Sequence, residues 1–451
     1  AVFQIYAAED IYTADHQVDA DGNRLLEYAA GTLVATATTD EEGKATVEDL
    51  PLGKYRIEEV TAPDGYVLNT SAQEVEFVYD GQDQPVISEE VTFTDERQKV
   101  SIIVEKQDEE NGALLPGASF GLYNQEAILV GEETIVEADT LLETVVSDET
   151  GQAVFTKDLP FGKYYVKELA APDGYISSDE ILDFEFSYQG QNIPVVELKA
   201  VKANKPTTVE VTKSDITTGV ELSGASLTVL DQEGNEVDSW VSVKDEPHVI
   251  KRLTVGETYT LRETFAPYGY LKATEITFTV EDTGDVQKVE MLDEVPTATL
   301  IVNKKGEFLE SVTLVSEIKG VVEHIFNYIT GNLKDVTFEV YAAEDIQMAD
   351  GVSGYHYHKD ELVATITTDD SGIAKVENLP VGKYYVVEKE TADGYVLDVE
   401  PRYVDLSYRD QDTPVVTFDE DWQNNRQKAT VSVLKKEKDT DRVLEGAIFG
   451  L

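Results

Sequence analysis

The sequence contains no cysteine, few cations and no long apolar run. Because cysteine is absent, disulfides, thiol catalysis and cysteine-ligated zinc or iron–sulfur sites are excluded. The 36 Lys and Arg residues stand against 89 Asp and Glu residues, so the formal net charge is −53. A surface this acidic argues against nucleic acid and anionic membranes as partners, since phosphate contacts need cations. No segment has the roughly 18 consecutive apolar residues of a membrane-spanning helix, so no membrane insertion is expected.

The chain is long and apolar enough for several packed domains. Its 451 residues predict three or four domains at roughly 100–150 residues each. Apolar residues make up 41% of the chain, which is ample for packed cores and argues against wholesale disorder. The first residues already have the pattern of a strand, and no signal peptide precedes them. We therefore expect a segment of a longer protein.

One phrase recurs four times along the chain, and each copy ends in a glutamate followed by a turn. The first copy runs from Gly53 to Glu59 and continues into the turn 62–66, Ala-Pro-Asp-Gly-Tyr. The later copies end at Glu168, Glu263 and Glu388. A spacing of about 110 residues between copies indicates whole domains in tandem rather than the short units of a solenoid.

Each repeat has the alternation and the turn residues of an antiparallel β-sandwich. Segments such as 75–79 and 276–280 alternate apolar with polar residues, and Asp-Gly or Glu-Gly pairs separate such segments. Many short strands between frequent turns favour a sandwich of two sheets. We predict a first repeat without its opening strand, three complete repeats and the opening fragment of a fifth, bounded as 1–97, 98–205, 206–295, 296–427 and 428–451.

One segment of the fourth repeat has helical spacing instead. Between residues 307 and 332, apolar residues recur mostly every three or four positions, at Leu309, Val312, Val315, Ile318, Val321, Val322 and Ile325. This spacing predicts a short insertion that is at least partly helical. Packing on the sandwich is its plain role, and a dedicated binding role is the alternative.

Strand parity directs three kinds of polar residue toward the predicted cores. Alternate residues of a strand share a face, and each opening strand places a lysine on the face of two aliphatic residues, as in Ile102-x-Val104-x-Lys106. The recurrent phrase aligns its glutamate in the same way, and the closing strand ends in Asn or Asp. Lys202 interrupts the apolar face before Asn204. The inward residues are Lys106, Lys213, Lys304 and Lys435; Glu59, Glu168, Glu263 and Glu388; and Asp95, Asn204, Asp293 and Asn424.

An inward lysine and an inward carboxylate are costly unless they are paired. A buried Lys–Glu salt bridge is one interpretation of them. The other is amide formation, because burial favours the neutral amine of lysine and the protonated form of glutamate. A neutral amine is a nucleophile, a protonated glutamic acid can polarise a side-chain carbonyl, and fixed geometry supplies the effective concentration. Attack on Asn or Asp would release ammonia or water and leave an isopeptide bond.

The phrase Leu-Pro-x-Gly-Lys-Tyr-Tyr-Val-x-Glu, followed by Ala-Pro-Asp-Gly-Tyr, resembles the B-type repeats of collagen adhesins. These are also called SpaA-type or prealbumin-like domains and occur in surface adhesins and pilins of Gram-positive bacteria. The resemblance covers nearly the whole chain except residues 307–332. It implies an all-β fold of immunoglobulin-like, reversed-topology β-sandwiches in a tandem, elongated array. It also implies that the first-strand lysine bonds to the last-strand Asn or Asp, with the strand glutamate as catalyst.

The resemblance assigns these roles residue by residue. It implies bonds between Lys106 and Asn204, between Lys213 and Asp293, and between Lys304 and Asn424. The catalysts would be Glu168, Glu263 and Glu388, respectively. The first repeat keeps Glu59 and Asp95 without a lysine, and the fifth fragment keeps Lys435 without partners, so neither is expected to close a bond of its own.

We predict a structural stalk that projects an adhesive region, and no enzyme that acts on another molecule. A ligand-binding adhesin region or pilin subunit is the alternative, with the insertion and the loops 7–33 and 341–361 as recognition elements. Host matrix proteins or glycans are the expected partners through the rest of the protein, and no cofactor is expected. The resemblance implies sortase attachment to the cell wall and an extracellular location, but Leu-Pro-x-Thr-Gly and Tyr-Pro-Lys motifs are absent from the sequence.

Two further residue groups have partial metal-site patterns. His356 and His358 could place two imidazoles on one strand face, but no third ligand is evident. Residues 19–23 resemble part of a calcium loop whose first Asp and last Glu are missing, which favours an Asx-rich turn. We therefore predict no metal site.

The unmatched residues at the two ends allow a second hypothesis. Residues 428–451 of one molecule could complete the first repeat of another by strand addition and bond Lys435 to Asp95. An arbitrary cut in the repeat array is the simpler explanation.

Overall fold

The computed structural model describes residues 1–318 and 321–451, and that part of the chain is all-β. It contains 34 strands and no helix, so it has no helix that could cross a membrane. The predicted fold class is confirmed. The chain forms two compact units, one of residues 1–208 with 251–256 and 281–286, and one of residues 209–250, 257–280 and 287–451.

The first repeat forms one sheet and two short strand pairs. Its sheet has the order β4–β1–β5–β7, and β2 pairs with β3 and β6 with β8. Residues 91–95, which we expected as the closing strand, are not in a strand. Its strands are β1 (Val2–Ala7), β2 (Ile11–Tyr12), β3 (Leu26–Tyr28), β4 (Leu33–Thr38), β5 (Gly53–Thr61), β6 (Tyr66–Val67), β7 (Gln73–Phe77) and β8 (Glu96–Arg97).

The second repeat is a sandwich of two sheets around an apolar core. Its strands are β9 (Lys99–Asp108), β10 (Ser119–Asn124), β11 (Ile128–Val130), β12 (Glu133–Val136), β13 (Leu141–Val146), β14 (Gln152–Phe155), β15 (Gly162–Ala170), β16 (Ile181–Phe186) and β17 (Val195–Asn204). The sheets have the orders β13–β10–β15–β16 and β14–β9–β17. Ile102 and Val104 of β9 are fully buried against Phe120 and Val166 of the facing sheet. The opening strand β9 and the closing strand β17 are parallel neighbours.

The third repeat has the same two-sheet arrangement. Its strands are β18 (Thr208–Asp215), β19 (Ser226–Leu230), β20 (Glu236–Val241), β21 (His248–Lys251), β22 (Thr258–Phe265), β23 (Ile276–Thr279) and β24 (Gln287–Asp293). The sheets have the orders β20–β19–β22–β23 and β21–β18–β24, with β18 and β24 parallel.

The fourth repeat repeats this arrangement and extends its opening strand. Its strands are β25 (Thr297–Ile318), β26 (Val321–Asn332), β27 (Thr337–Ala342), β28 (Ile346–Gln347), β29 (Tyr355–Tyr357), β30 (Leu362–Thr367), β31 (Ile373–Pro380), β32 (Gly382–Glu390), β33 (Arg402–Leu406) and β34 (Val415–Asn424). One sheet has the order β30–β27–β32–β33, and in the other β25 lies between β31 and the parallel β34.

The predicted helical insertion at 307–332 is wrong, because residues 307–318 and 321–332 pair as the antiparallel strands β25 and β26, the hairpin strands of this repeat. Residues 319 and 320 of the predicted insertion lie outside the described residues. Register shifts at Glu310 and Val315 each add one residue to β25. Each shift changes the phase of a two-residue alternation, so the apolar residues of a strand acquire the three-residue spacing that we had interpreted as helical.

Candidate functional site

The parallel pairing of opening and closing strands sets the position of each inward lysine. In all three complete repeats, the predicted Asn or Asp lies two residues beyond the residue that the lysine faces across the strands. The facing pairs are Lys106 with Lys202, Lys213 with Met291 and Lys304 with Trp422, and the residues two further along are Asn204, Asp293 and Asn424. Side chains two apart share a face, so each lysine and its acceptor point into the same core.

A β-bulge follows each inward glutamate. Glu168 pairs with Phe120 of β10, and the next residue, Leu169, is the extra one. The same irregularity follows Glu59, Glu263 and Glu388. Because a bulge bends the strand and turns its side chains, it ends the regular alternation at the residue that points into the core.

In the second repeat, Glu168 joins Lys106 to Asn204. Lys106 Nζ lies 3.3 Å from Glu168 Oε1, and Asn204 Nδ2 donates to both carboxylate oxygens at 2.9 Å. The Ser178 N–H donates to Glu168 Oε2 at 3.0 Å. The Asn204 carbonyl Oδ1 is buried without a hydrogen-bond partner. The trio is closed off from water, since Lys106 is 0% and Asn204 2% exposed.

In the third repeat the lysine touches both carboxylates. Lys213 Nζ lies 3.2 Å from Glu263 Oε1 and forms a short ion pair with Asp293 Oδ1. The Ala273 N–H donates to Glu263 Oε2 at 2.6 Å. Glu263 and Asp293 are both 0% exposed, and Asp293 Oδ2 has no hydrogen-bond partner.

The fourth repeat resembles the second. Lys304 Nζ lies 2.7 Å from Glu388 Oε2, and Asn424 Nδ2 donates to Glu388 Oε1 and, at 2.7 Å, to Thr391 Oγ1. The ammonium also lies over the Phe338 ring, 5.5 Å from its centroid. Asn424 Oδ1 is buried without a partner, as Asn204 Oδ1 is.

The first repeat keeps two carboxylates and has no lysine between them. Glu59 is 5% exposed and accepts the Asn69 N–H at 3.0 Å through Oε2. Its other oxygen, Oε1, and Asp95 Oδ1 are buried without hydrogen-bond partners. Burial, together with the nearby Asp95 charge, raises the pKa of Glu59.

Burial shifts three pKa values toward the neutral forms that amide chemistry needs. It lowers the pKa of Lys106 to about 8 and also lowers the pKa of Lys304. It raises the pKa of Asp293 to about 7, with Glu263 adding to the shift. The neutral amine of Lys106 in the second repeat and the protonated acid of Asp293 in the third are therefore accessible near neutral pH.

Lys202, which interrupted the apolar face in the sequence, is fully buried and has its own partners. Its Nζ donates to Ser178 Oγ at 2.8 Å and pairs with Glu180 Oε2 at 2.9 Å. Its position in β17 matches Met291 and Trp422 in the other closing strands. The long side chain thus replaces an apolar residue and carries its charge to the edge of the core.

A tyrosine contact was missed by the sequence reasoning. The Tyr175 hydroxyl donates to Asp108 Oδ2 at 2.8 Å, and Tyr270 donates to Asp215 Oδ2 at 2.7 Å. Both aspartates lie two residues after the inward lysine. Although burial alone would raise it, the bonds from Arg252 and Tyr175 lower the pKa of Asp108 to about 2. The recurring Lys-x-Asp spacing and the turn tyrosine were the available sequence signals.

The fifth fragment and the partial metal patterns are solvent-exposed. Lys435, which parity placed inward, is exposed, because residues 428–435 form no strand. Val431 and Val433 of the expected opening strand are 61% and 56% exposed. Asp19 caps its own turn by accepting the Asp21 and Asn23 N–H groups at 2.9 Å. Within residues 1–318 and 321–451, no group of three or more His, Asp or Glu side chains could hold a metal ion.

Comparison with known proteins gives one family and several relatives. The family model described as SpaA, prealbumin-like fold domain, matches residues 1–92, 100–200, 207–295 and 328–422. Serine-aspartate repeat-containing protein D of Staphylococcus aureus (strain Newman) is 24% identical over 412 residues, which cover 82% of this chain and 28% of that protein. The chain therefore spans little more than a quarter of the length of this relative.

Two solved structures are similar to this chain at low TM-scores. The Bacillus anthracis TIE protein is 20% identical, covers 94% of this chain and 69% of its own, and has a TM-score of 0.44. BcpA, the major pilin subunit of Bacillus cereus, is 14% identical, covers 73% of this chain and 100% of its own, and has a TM-score of 0.35. These likenesses are too distant to bear on function.

Proposed function

The chain belongs to the SpaA family of prealbumin-like fold domains, and from this we propose that it is a structural stalk segment of a Gram-positive surface protein, stiffened by covalent bonds between its own side chains. The observation that carries the proposal is the recurrence of one buried trio, in one strand register, in three repeats. A solitary buried ion pair contributes little net stability. Three copies that each add an Asn or Asp beside the Lys–Glu pair favour a shared chemistry instead.

In the second repeat, neutral Lys106 Nζ would attack Cγ of Asn204. Asn204 now donates through Nδ2 to Glu168, and half a turn of its amide group would present Oδ1 to a protonated Glu168. Glu168 then stabilises the oxyanion and moves a proton from Nζ to the leaving nitrogen. The Nζ–Cγ bond forms, the Cγ–Nδ2 bond breaks, and ammonia leaves.

The fourth repeat would follow the same steps with Lys304, Glu388 and Asn424. In the third repeat the acceptor is the carboxyl group of Asp293, whose raised pKa of about 7 keeps a protonated fraction. Attack by Lys213 there releases water. No external reagent is required in any of the three reactions, because each proton that leaves the amine ends on the leaving group.

The repeat boundaries 1–97, 98–205, 206–295, 296–427 and 428–451 belong to the same proposal. The sheet topology supports these boundaries, because all strands of any one sheet lie within one of the ranges. We also propose an extracellular location, with the cell wall, through sortase, and host matrix or glycans as partners of the whole protein. The family membership supports these proposals, and the chain itself would supply the spacer.

Intact-mass measurement of the purified chain tests the bonds directly. The expected mass is that of the sequence less two ammonia molecules and one water. A mass equal to the full sequence would refute the covalent proposal and leave three buried salt bridges.

Glu168→Ala is the matched catalytic variant for this measurement. It is expected to regain one ammonia, because the Lys106–Asn204 bond loses its proton carrier while the other two bonds still form. If the variant still lost both ammonias, the role of Glu168 would be wrong.

A ligand-binding region is the second candidate function, and the hairpin of β25 and β26 favours it. Facing pairs of an antiparallel hairpin share a side, so one side carries Leu309, Val312, Leu314, Phe326 and Tyr328. Four of these are between 48% and 55% exposed: Leu309, Val312, Leu314 and Phe326. The other side is mixed: Asn327 donates to Ser311 at 3.1 Å and to Thr313 at 3.3 Å, but Ile325 and Ile329 on this side are 46% and 48% exposed. An exposed apolar face of this kind is typical of an interaction surface.

Binding of the whole chain to panels of matrix proteins and glycans tests this candidate. Phe326→Ser on the apolar side should weaken any binding, and Asn327→Ser on the opposite side should not. A chain that binds no panel member leaves the stalk as the sole function.

A further inference from the structure

In two places the loop before a closing strand contacts the turn that follows the inward glutamate of the preceding repeat. Three loops share the sequence Tyr-x-x-Gln-Asx-x-Pro-Val, at residues 79–86, 188–195 and 408–415. The turns include Ala62–Tyr66 and Ala266–Tyr270. Two of the three loops are seated on such a turn, one within each compact unit.

In the first unit, Gln191 of the second repeat forms three hydrogen bonds with backbone groups at and beside the turn of the first repeat. The Ala62 N–H donates to Gln191 Oε1 at 2.9 Å, and the Leu68 N–H donates to the Gln191 main-chain carbonyl at 2.9 Å. Gln191 Nε2 also donates to the carbonyl of Val60, the extra residue of the bulge, at 3.2 Å. These backbone groups lie at the bulge or after it, where the regular pairing of the sheet is interrupted.

In the second unit, Gln411 repeats this pattern on the turn of the third repeat. The Ala266 N–H donates to Gln411 Oε1 at 2.8 Å, and the Lys272 N–H donates to the Gln411 carbonyl at 2.9 Å. The Tyr408 hydroxyl adds a bond of 3.0 Å to the Tyr270 carbonyl. In both units, the two backbone N–H donors occupy the same positions relative to the inward glutamate. They donate to the same two oxygens of one glutamine, the side-chain amide oxygen and the main-chain carbonyl oxygen.

The turn glycines fit this close approach. A methyl group on Gly65 would lie 3.1 Å from the Phe161 ring of the second repeat, and one on Gly269 would lie 3.5 Å from Ala349 of the fourth. At Gly394 of the fourth repeat, a methyl group would meet nothing within 4 Å. A methyl group on Gly174 of the second repeat would lie 2.7 Å from the Arg252 carbonyl oxygen, although no glutamine loop is present there. Close approach at the turn glycine therefore accompanies contact between repeats in general, with or without the glutamine.

The turn of the second repeat has a different partner within the first unit. The loop 281–286 lacks the Tyr, Gln and Pro of the shared sequence. There Asp282 Oδ1 accepts the Ser177 N–H at 3.0 Å. Ser177 occupies the position of Leu68 and Lys272, two residues after the turn tyrosine, so a carboxylate replaces the glutamine carbonyl.

We propose that the Tyr-x-x-Gln-Asx-x-Pro-Val loop is a docking element whose partner is the Ala-Pro-x-Gly-Tyr turn of the preceding SpaA-type repeat. Gln191 and Gln411 are the positioning residues of this interface. The glutamine gives the interface its specificity, because its side-chain oxygen and its main-chain carbonyl oxygen accept hydrogen bonds from two backbone N–H groups at a fixed separation. The interface does not depend on the covalent bonds proposed above.

Gln82 supplies a control within the chain. It has the same place in the shared sequence, in the loop 79–86, but it is exposed. In this chain no repeat precedes it, so its substitution should change no docking contact.

Hydrogen exchange of the intact chain, resolved to single amides by fragmentation, tests the proposal. Gln191→Ala should speed exchange at Ala62 about tenfold, the effect of one lost hydrogen bond, and leave Ala266 unchanged. Gln411→Ala should do the reverse, and Gln411→Glu should keep Ala266 protected because an acceptor oxygen remains. Gln82→Ala should change neither amide.

Three results would overturn the proposal. The first is unchanged exchange at Ala62 in Gln191→Ala and at Ala266 in Gln411→Ala. The second is an equal effect of Gln82→Ala. The third is acceleration that extends to β10 in Gln191→Ala or β19 in Gln411→Ala, since this would indicate loss of a whole repeat rather than of a docking contact.

Discussion

The first and second repeats have nearly the same four-stranded sheet and differ in the layer opposite it. In the second repeat, β9 lies between β14 and β17, and the closing residues 195–204 form a strand. In the first repeat no strand precedes β1, and residues 91–95 form none. The closing strand pairs directly with the opening strand, so the second layer depends on the opening strand.

The two repeats also differ in what lies beside the inward glutamate. Glu168 has a lysine and a side-chain amide as neighbours, whereas Glu59 lies near Asp95 and accepts the Asn69 N–H. The opening strand therefore supplies both the pairing edge of the second layer and the cation of the site. The first repeat lacks that strand and keeps Glu59 and Asp95, so two carboxyl groups of like charge lie close together there.

Removing the cation of the second repeat should make it resemble the first, and this is the largest effect that we expect. Lys106→Met would abolish the bond to Asn204 and retain one ammonia in the intact mass. A cross-link that closes a loop of about 100 residues contributes roughly 4–5 kcal/mol in the chain-entropy model. Calorimetry should therefore show a large fall in the melting temperature of this repeat.

Two other lysines provide controls for that variant. Lys99→Met removes an exposed lysine of the same strand, 52% accessible, and should change neither mass loss nor melting. Lys202→Met changes the buried lysine that faces Lys106 and should still lose the ammonia. If the bond failed to form in Lys202→Met, the assignment of Lys106 as the nucleophile would be wrong.

The first repeat should gain stability on mild acidification, and the second should not share this response. The pKa of Glu59 is raised in the folded state, so protons bind the folded form more tightly. The stability that Glu59 contributes is fully present below the ordinary pKa of glutamate. It is lost as the pH rises through the raised pKa of Glu59 in the folded protein. Pulse proteolysis in urea, scored on cleavage within residues 1–97, should show more protection near pH 5 than near pH 8.

Glu59→Gln is the control for this pH response. It removes the titrating group, so the difference between the two pH values should shrink. If the variant kept the full difference, another group in the first repeat would be responsible.

The smallest effect concerns the identity of the acceptor in the third repeat. Asp293→Asn would give it the amide found in the second and fourth repeats. The bond to Lys213 should still form, with ammonia replacing water as the product, and melting should hardly change because the final amide is the same. Intact mass should then show three ammonia losses, and an unbonded third repeat would show that this site requires an acid.

Parity was sufficient to predict the inward lysines of the three complete repeats, but it failed for Lys435, which is exposed because residues 428–435 form no strand. Lys106, Lys213 and Lys304 are each at most 3% exposed, as the two-residue alternation predicts. It could not exclude Lys202, because a long side chain can lie in a core while its charge reaches a partner outside. The roles of these residues in bond formation remain predictions.

The hairpin in the fourth repeat shows where periodicity fails. The shifts at Glu310 and Val315 turn alternation into a mixed spacing, and no local residue type marks a bulge in advance. The pairing of Gln191 and Gln411 with distant backbone groups was equally out of reach. Those contacts depend on how two repeats meet, which the sequence of either one does not contain.

The parallel pairing of opening and closing strands also fixes how a repeat would carry tension. The chain enters the second repeat at the start of β9 and leaves it at the end of β17, at opposite ends of two adjacent strands. With Lys106 bonded to Asn204, a pull on the chain would run along β9, cross the bond and leave directly. Residues 107–203 would then carry no tension while the bond is intact. The first repeat has no such bond, so it would extend first.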